Sequence, residues 1–451
     1  MSNLLKNNKV LLIGLGILGG GVNTAKWLLK QGAKLTITDL KDRKELASSL
    51  KALEAYAGEI KYTLGRHDKS DILENEIIVL NPDVPLSSPF VKLAKDLNKR
   101  IENELTLFCQ SAPTKDIIAV TGTRGKTTTA NWIGHLLRAK YPTAKVIGNS
   151  PDNPLLNASG KIGADAPVVV ETPSFLLEHV AGSAFKPKVA IFTNIYPDHL
   201  NRYDNIEHYA RIKANIFSNQ TAEDVLILGC EKKWRQFLRG LKPLSHVIYP
   251  PAVSDISKYV RPEAFVKKWG EHNLTNLRIA IAAAKSFGLS DGLIKKAIAT
   301  LPQIKFRQEL VYDKRGLEIY NDTCATSPEA AVAAVERFGG NGKNLVLITG
   351  GTDRKLKFKP LAGVIKRKIK KGNLVLLEGS ATAKIAEELK NGGLKTTPTL
   401  KLCFQQAMAI VQTTGDPSII LFSPGSKSFE KFRNEYDRGE QFNKLVRDSL
   451  K

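Results

Sequence analysis

The stretch IIAVTGTRGKTTTANW, residues Ile117–Trp132, limits the fold of this chain more than any other. Ile117–Val120 is an apolar run of the kind that forms a buried strand. Glycines and threonines then break the pattern, and a helix is expected to open near Lys126. A strand that ends in a glycine turn and runs at once into a helix belongs to a parallel α/β sheet. Gly122 and Gly125 can adopt conformations that aim successive N–H groups at one point. The helix N-terminus adds donors and a favourable dipole. With Thr123, Arg124 and Thr128 completing the loop, the cradle suits a nucleoside triphosphate: Lys126 is placed to reach the β- and γ-phosphates, and the Thr127 hydroxyl to sit on Mg²⁺. The commonest form of the motif carries a glycine where this chain has Val120. The plainer alternative is a tight strand–helix turn with an incidental Gly-Lys pair.

A second glycine loop stands near the start. KVLLIGLGILGGGVNTAKW places Gly14, Gly16, Ile17, Leu18 and Gly19 between an apolar run and an amphipathic helix. The next apolar run ends at Asp39. The spacing is that of a dinucleotide fingerprint, with the acid positioned for a ribose. Three readings remain open on the motif alone: NAD, a substrate carrying its own diphosphate such as a UDP-sugar, or a turn for close helix–strand packing.

The rest of the chain repeats the alternation. Strands are expected at Val10–Ile13, Leu35–Thr38, within Asn75–Pro85, and at Ile117–Thr121, Val168–Glu171, Val189–Asn194 and Val225–Leu228. Further strands are expected at Leu345–Thr349, Leu374–Leu377 and Ser418–Phe422, with helices between. The fold class is α/β with mostly parallel sheets. At 451 residues, two or three domains are expected. Loss of periodicity around LFCQSAPTKD and LPQIKFRQELV puts the borders at 1–112, 113–301 and 302–451.

Composition excludes more than it selects. No apolar run approaches the ~20 residues of a bilayer span, and MSNLLKNNK does not read as a secretory signal. Cys109, Cys230, Cys324 and Cys403 are scattered, which suits a reducing cytoplasm and argues against a zinc site or disulfide framework. The net charge of +23 admits a nucleic-acid partner, but the basic residues are spread along the chain, without an Arg-rich tail or aromatic–basic motif. Solvated lysines that favour anionic nucleotides explain it better, so no nucleic-acid and no membrane partner is expected.

Several further stretches carry a resemblance. They are GN (Gly148, Asn149), ETPSF (Glu171–Phe175), NIYPDHLNRY (Asn194–Tyr203), YARIK (Tyr209–Lys213), EHNLTN (Glu271–Asn276), FRQE (Phe306–Glu309), NDTCAT (Asn321–Thr326), GGTDR (Gly350–Arg354) and SPGSKSFEKF (Ser423–Phe432). Together with the two glycine loops, and in this order, they make the chain resemble the Mur ligases of bacterial cell-wall synthesis. These are ATP-dependent amide-forming enzymes. The likeness is greatest to those that add D-glutamate to UDP-MurNAc-L-alanine through an acyl phosphate. It implies a Rossmann-like N-terminal domain for the UDP substrate, a central P-loop ATPase domain and a Rossmann-like C-terminal domain. It also implies peptidoglycan precursor synthesis in the cytoplasm by a monomer using ATP and Mg²⁺.

The resemblance also implies residue roles. Lys126, Glu171, His199 and Lys213 would be catalytic. Thr127, Glu171, His199 and, once carbamylated, Lys213 would place the metal; a free ammonium there would be repelled by the cation. Asn273, Asn276, Arg307 and Asp322 would join the loop residues at ATP. Asn149 would join Gly14–Gly19 and Asp39 at the UDP substrate, and Thr326, Arg354, Ser428 and Phe429 would meet the amino acid. The chain departs from the pattern at Arg124, Leu18, Asp83, Pro173 and Leu176. In the C-terminal third it departs at Cys324 (for lysine), Arg354 (for lysine) and Glu435 (for an aromatic). These departures leave L-glutamate or another amino acid as an alternative. An NAD-dependent oxidoreductase would explain the first glycine loop but not TGTRGKTTT. A folylpolyglutamate-synthase-like ligase would not need the first loop.

Overall fold

Three sheets organise the chain in the computed structural model, which describes residues 4–148, 155–200, 202–340, 342–354, 356–390, 395–414 and 417–450. The first sheet holds β1 (Lys9–Ile13), β2 (Lys34–Asp39), β3 (Ile60–Leu64), β4 (Ile77–Leu80) and β5 (Arg100–Glu102), all parallel, in the order β3-β2-β1-β4-β5. Strand order reverses between β1 and β4. The glycine loop leaves β1 and the NPDVP loop leaves β4, so both lie at the crevice where such sheets take their ligands.

The second sheet holds β6 (Ile117–Thr121), β7 (Lys145–Ile147), β8 (Val168–Glu171), β9 (Val189–Phe192), β10 (Val225–Leu228) and β11 (His246–Ile248). Its order is β11-β10-β9-β6-β8-β7, again parallel. β6 lies between β8 and β9 with Val120 beside Glu171 and Thr121 beside Phe192. Parallel register therefore delivers the loops after β6, β8 and β9 to one edge. The third sheet holds β12 (Glu309–Lys314), β13 (Leu317–Asn321), β14 (Asn344–Thr349), β15 (Leu374–Leu377), β16 (Thr396–Thr397) and β17 (Ser418–Phe422), in the order β12-β13-β17-β14-β15-β16.

Burial on both faces explains the near-continuous apolar central strands. β6 and β9 are buried at every position. One core joins the first two sheets: Val10, Leu12, Ile37 and Val79 cluster with Ala119, Val168, Val170 and Phe192. Leu105 and Phe108, from the helix Glu104–Ser111, belong to the same cluster. Asn103 caps that helix and its side-chain amide donates to the Leu176 carbonyl over 2.9 Å, tying the connection to the second sheet. Residues Met1–Arg261 with Thr275–Leu301 form one compact unit, which carries these two sheets. Pro262–Leu274 with Pro302–Lys451 form a second, which carries the third sheet.

Several elements differ from the sequence reading, two of them at the expected border and at the phosphate loop. The segment expected to be a border, Leu301–Val311, runs into an antiparallel hairpin of β12 and β13. Arg315 and Gly316 both have positive φ, 54° and 76°, the requirement of a two-residue hairpin turn whose twist matches its strands. β12 is a half-exposed edge strand, so its sequence lacks the apolar run that marks the others. The strand expected at Val189–Asn194 stops at Phe192; Thr193 and Asn194 turn out of the sheet to hold the phosphate loop.

Candidate active site

The loop after β6 is held from both sides. The Arg124 N–H donates to the Asn194 side-chain oxygen over 2.8 Å, and the Arg124 carbonyl accepts from the Thr193 hydroxyl over 2.7 Å and from the Asn194 amide over 3.1 Å. A Cβ on Gly122 would lie 1.9 Å from Thr193 Oγ1, and one on Gly125 2.4 Å from Asn276 Oδ1. Both glycines have positive φ, 140° and 80°. The loop therefore closes this tightly only without side chains at these positions. Gly125 caps the helix Lys126–Arg138. Lys126 opens that helix and its Nζ donates to the carbonyls of Gly122 and Thr123, over 3.1 and 3.2 Å. The Thr127 hydroxyl donates to the Glu171 carboxylate over 2.8 Å. Thr128 is buried, and the neighbouring Thr129 hydroxyl donates to Asn276 Oδ1 over 3.2 Å.

Lys213 lies on the helix Ile206–Ala214, one turn beyond Tyr209, and is 1% exposed. Its Nζ donates to the Gly122 carbonyl over 3.0 Å and sits 4.6 Å from the centre of the Tyr209 ring. Burial, and after it the nearby Lys126 ammonium, hold its pKa well below that of an ordinary lysine. His199 has φ 53° and an exposed side chain; its Nε2 is 3.9 Å from Asp198, which in turn pairs with Arg124 at 3.4 Å. Gly122–Thr128, Glu171, Lys213 and Asn276 thus converge. Among the described residues, His, Cys, Asp and Glu nowhere gather in threes fit for a metal. A hydroxyl and a carboxylate beside a phosphate cradle suit Mg²⁺, which takes one or two protein oxygens and draws the rest from phosphate and water.

The first glycine loop has positive φ at Gly14, Gly16 and Gly19, of 89°, 62° and 89°. Asp39, at the end of β2, accepts from the N–H groups of Gly16 and Lys41, both over 2.9 Å, and so braces the loop from within. Ile17 and Leu18 form its exposed tip. Asn149 lies outside the described residues.

In the second unit, Asp322 is buried, accepting from the Ser423 hydroxyl over 2.7 Å and the Gln308 N–H over 3.0 Å. Burial pushes its carboxyl up to about 7, against the smaller opposing effects of those hydrogen bonds and of Arg307. The Arg354 guanidinium stacks 4.8 Å from the Phe429 ring. Ser428 is buried, Thr326 half-buried, and the Asn273 amide donates to the Trp269 carbonyl over 2.7 Å. Arg438 is fully buried and binds Thr323, Ser426 and Lys427 by their carbonyls, joining the NDTCAT and SPGSKS loops. Thr193, Asn194 and Arg438 were not singled out from sequence. The NIYPDHLNRY run begins at Asn194, one residue after Thr193, but only the hydrogen bonds of these two residues to Arg124 reveal their task.

The Mur ligase middle domain matches residues 120–249, and the Mur ligase MurD-like N-terminal domain matches residues 8–102. A UDP-N-acetylmuramoylalanine–D-glutamate ligase of Roseiflexus sp. (strain RS-1) is 35% identical, over 98% of this chain and 99% of the relative. Ligases of the same name from Borreliella afzelii (strain PKo) and Clostridioides difficile (strain 630) are 35% and 32% identical, over 98% and 97% of this chain and 98% of each relative. MurF from Thermotoga maritima in complex with ADP shares the fold, with a TM-score of 0.56 and 14% identity, covering 100% of this chain and 97% of that one. MurF from Acinetobacter baumannii does so at 0.56 and 15%, covering 99% and 92%. With Mur ligase domain models matched between residues 8 and 249 and relatives of this identity along nearly its whole length, the chain belongs to the Mur ligase family.

Proposed function

We propose that the protein is an ATP-dependent ligase that adds D-glutamate to UDP-MurNAc-L-alanine in peptidoglycan precursor synthesis. The convergence of Lys126, Lys213 and the Thr127–Glu171 pair on the loop after β6 carries this reading. The N–H groups of residues 122–128 would hold the phosphates of ATP, with Asn276 beside that loop; Asn273, Arg307 and Asp322 are proposed as further ATP-binding residues. The UDP substrate lies over the loop of Gly14–Gly19, with Ile17, Leu18, Asp39 and Asn149. Its terminal carboxylate attacks the γ-phosphorus, the bond to the β,γ-bridging oxygen breaks, and ADP leaves. The D-glutamate amine then attacks the acyl phosphate carbonyl; the C–N bond forms, phosphate departs and the amine loses its proton. Lys126 stabilises charge on the transferring phosphoryl group.

Thr127 and Glu171 are the residues that would hold Mg²⁺, which when bound supplies charge neutralisation at the phosphates. His199 is a further ligand in this proposal. Lys213 fits that set only as its carbamate, and its depressed pKa favours the neutral amine that carbamylation needs. Thr326, Arg354, Ser428 and Phe429 are proposed to receive the amino acid, with domain borders after residues 112 and 301. The protein acts as a cytoplasmic monomer; among the described residues no helix is long and apolar enough to cross a membrane. The test is phosphate release from ATP with UDP-MurNAc-L-alanine and a panel of D- and L-amino acids. Release with D-glutamate alone is expected; no release with any pair would overturn the proposal.

A further inference from the structure

Arg202 joins the loops of the first and second sheets. It lies in NIYPDHLNRY, three residues after His199, and its own N–H donates to the His199 carbonyl over 2.9 Å. Its guanidinium grips the Glu178 carboxylate at both oxygens, over 2.6 and 2.7 Å, and the Glu178 side chain is 1% exposed. The Tyr203 hydroxyl donates to the same carboxylate over 2.8 Å. A bidentate arginine–carboxylate pair fixes direction as well as distance. The free face of that fork points at the first sheet, where Nη2 donates to the Val84 carbonyl over 2.9 Å.

Val84 belongs to the NPDVP loop after β4. A Cβ built on Gly14 would lie 3.0 Å from the Asn81 side chain and 3.4 Å from that of Val84, so this loop packs directly on the first glycine loop. A continuous chain of contacts therefore runs from Gly14 through Val84, Arg202 and the His199 backbone to Asp198, which pairs with Arg124 of the loop after β6 at 3.4 Å. We propose that Arg202 is a positioning residue, which sets the NPDVP loop against the His199 loop so that the acid end of the UDP substrate meets the phosphate site. The role in catalysis rests on the ligase reading above; the loop-setting role does not.

The experiment has two readouts. Hydrogen–deuterium exchange of the ligand-free protein compares wild type with Arg202→Lys, which keeps the charge and loses the fork. Amides in residues 79–88 should exchange about tenfold faster, as expected for losing one hydrogen bond from a charged donor, while residues 121–129 stay unchanged. In steady-state kinetics, KM for UDP-MurNAc-L-alanine should rise about tenfold or more, with KM for ATP within about twofold. A merely structural role would lower the melting temperature and kcat and leave both KM values alone. Unchanged exchange at 79–88, or equal rises in both KM values, would overturn the proposal. Should Arg202→Lys fail to fold, Glu178→Gln, which keeps the guanidinium but no longer holds it at two carboxylate oxygens, should move exchange at 79–88 and KM for the UDP substrate in the same direction by a smaller factor. A wild type that releases no phosphate would refute the ligase reading, while the exchange data would still decide whether Arg202 sets the loop.

Discussion

Lys126 and Lys213 donate to one oxygen, the carbonyl of Gly122, over 3.1 and 3.0 Å. Burial first, and after it the Lys126 ammonium on the same acceptor, disfavour the charged form of Lys213. Its folded-state pKa lies below the usual 10.5, so the unfolded chain binds more protons between those two values. Stability of the unmodified protein then rises with pH across that window. Lys213→Met removes the contribution. Denaturant unfolding in CO₂-free buffer from pH 7 to 9.5 should show the variant's stability advantage shrinking as pH rises. A constant difference would contradict the assignment.

The Thr127–Glu171 pair predicts metal dependence. Phosphate release should stop on chelation and return with Mg²⁺. Glu171→Gln keeps the size of the side chain but loses its charge, and should raise the Mg²⁺ concentration for half-activity by about tenfold or more. Titration of activity against Mg²⁺ reads this directly. An unchanged Mg²⁺ requirement would remove Glu171 from the metal site.

Much of this was legible in the sequence because it depends on local pattern. Ile117–Thr121 and Val189–Phe192 read as strands because both faces are covered, leaving no polar interruption. LEIYN, Leu317–Asn321, was missed although it lies inside its sheet, because Glu318 and Tyr320 break the apolar run. Lys145–Ile147 and His246–Ile248 were missed as short edge strands. The phosphate loop announced itself through glycine spacing. What holds it did not: Asn194 meets Arg124 across 70 residues, and Arg202 meets Val84 across 118. No local rule contains such pairings. Asp39 has the spacing of a ribose ligand, yet its carboxylate also supports its own loop through the Gly16 N–H.

Gly125→Ala should damage the loop in two separable ways. Its φ of 80° strains any L-residue by about 1–2 kcal/mol, and the new Cβ would lie 2.4 Å from Asn276 Oδ1. Adding Asn276→Ala relieves the second cost and leaves the first. Urea midpoints should therefore fall for Gly125→Ala and recover only in part for the double variant, relative to Asn276→Ala alone. Full recovery would show that the backbone at Gly125 tolerates a side chain.

Asp322 predicts a pH dependence of the opposite sign to that of Lys213. Its carboxyl is raised from 3.8 to about 7 in the folded protein, chiefly by burial. Between those values the folded state binds more protons than the unfolded chain, so stability falls as pH rises through the window, and the cost is complete above about 7. Asp322→Asn cannot ionise, while its side-chain oxygen can still accept from the Ser423 hydroxyl or the Gln308 N–H. The variant should lose this component of the slope while other carboxylates act equally on both proteins. Melting temperatures of wild type and variant, measured from pH 4 to 8, should therefore diverge in the variant's favour as pH rises and run parallel above 7. Parallel curves throughout would mean that Asp322 is ionised in the folded protein across the whole range, with Arg307 and its hydrogen bonds outweighing burial.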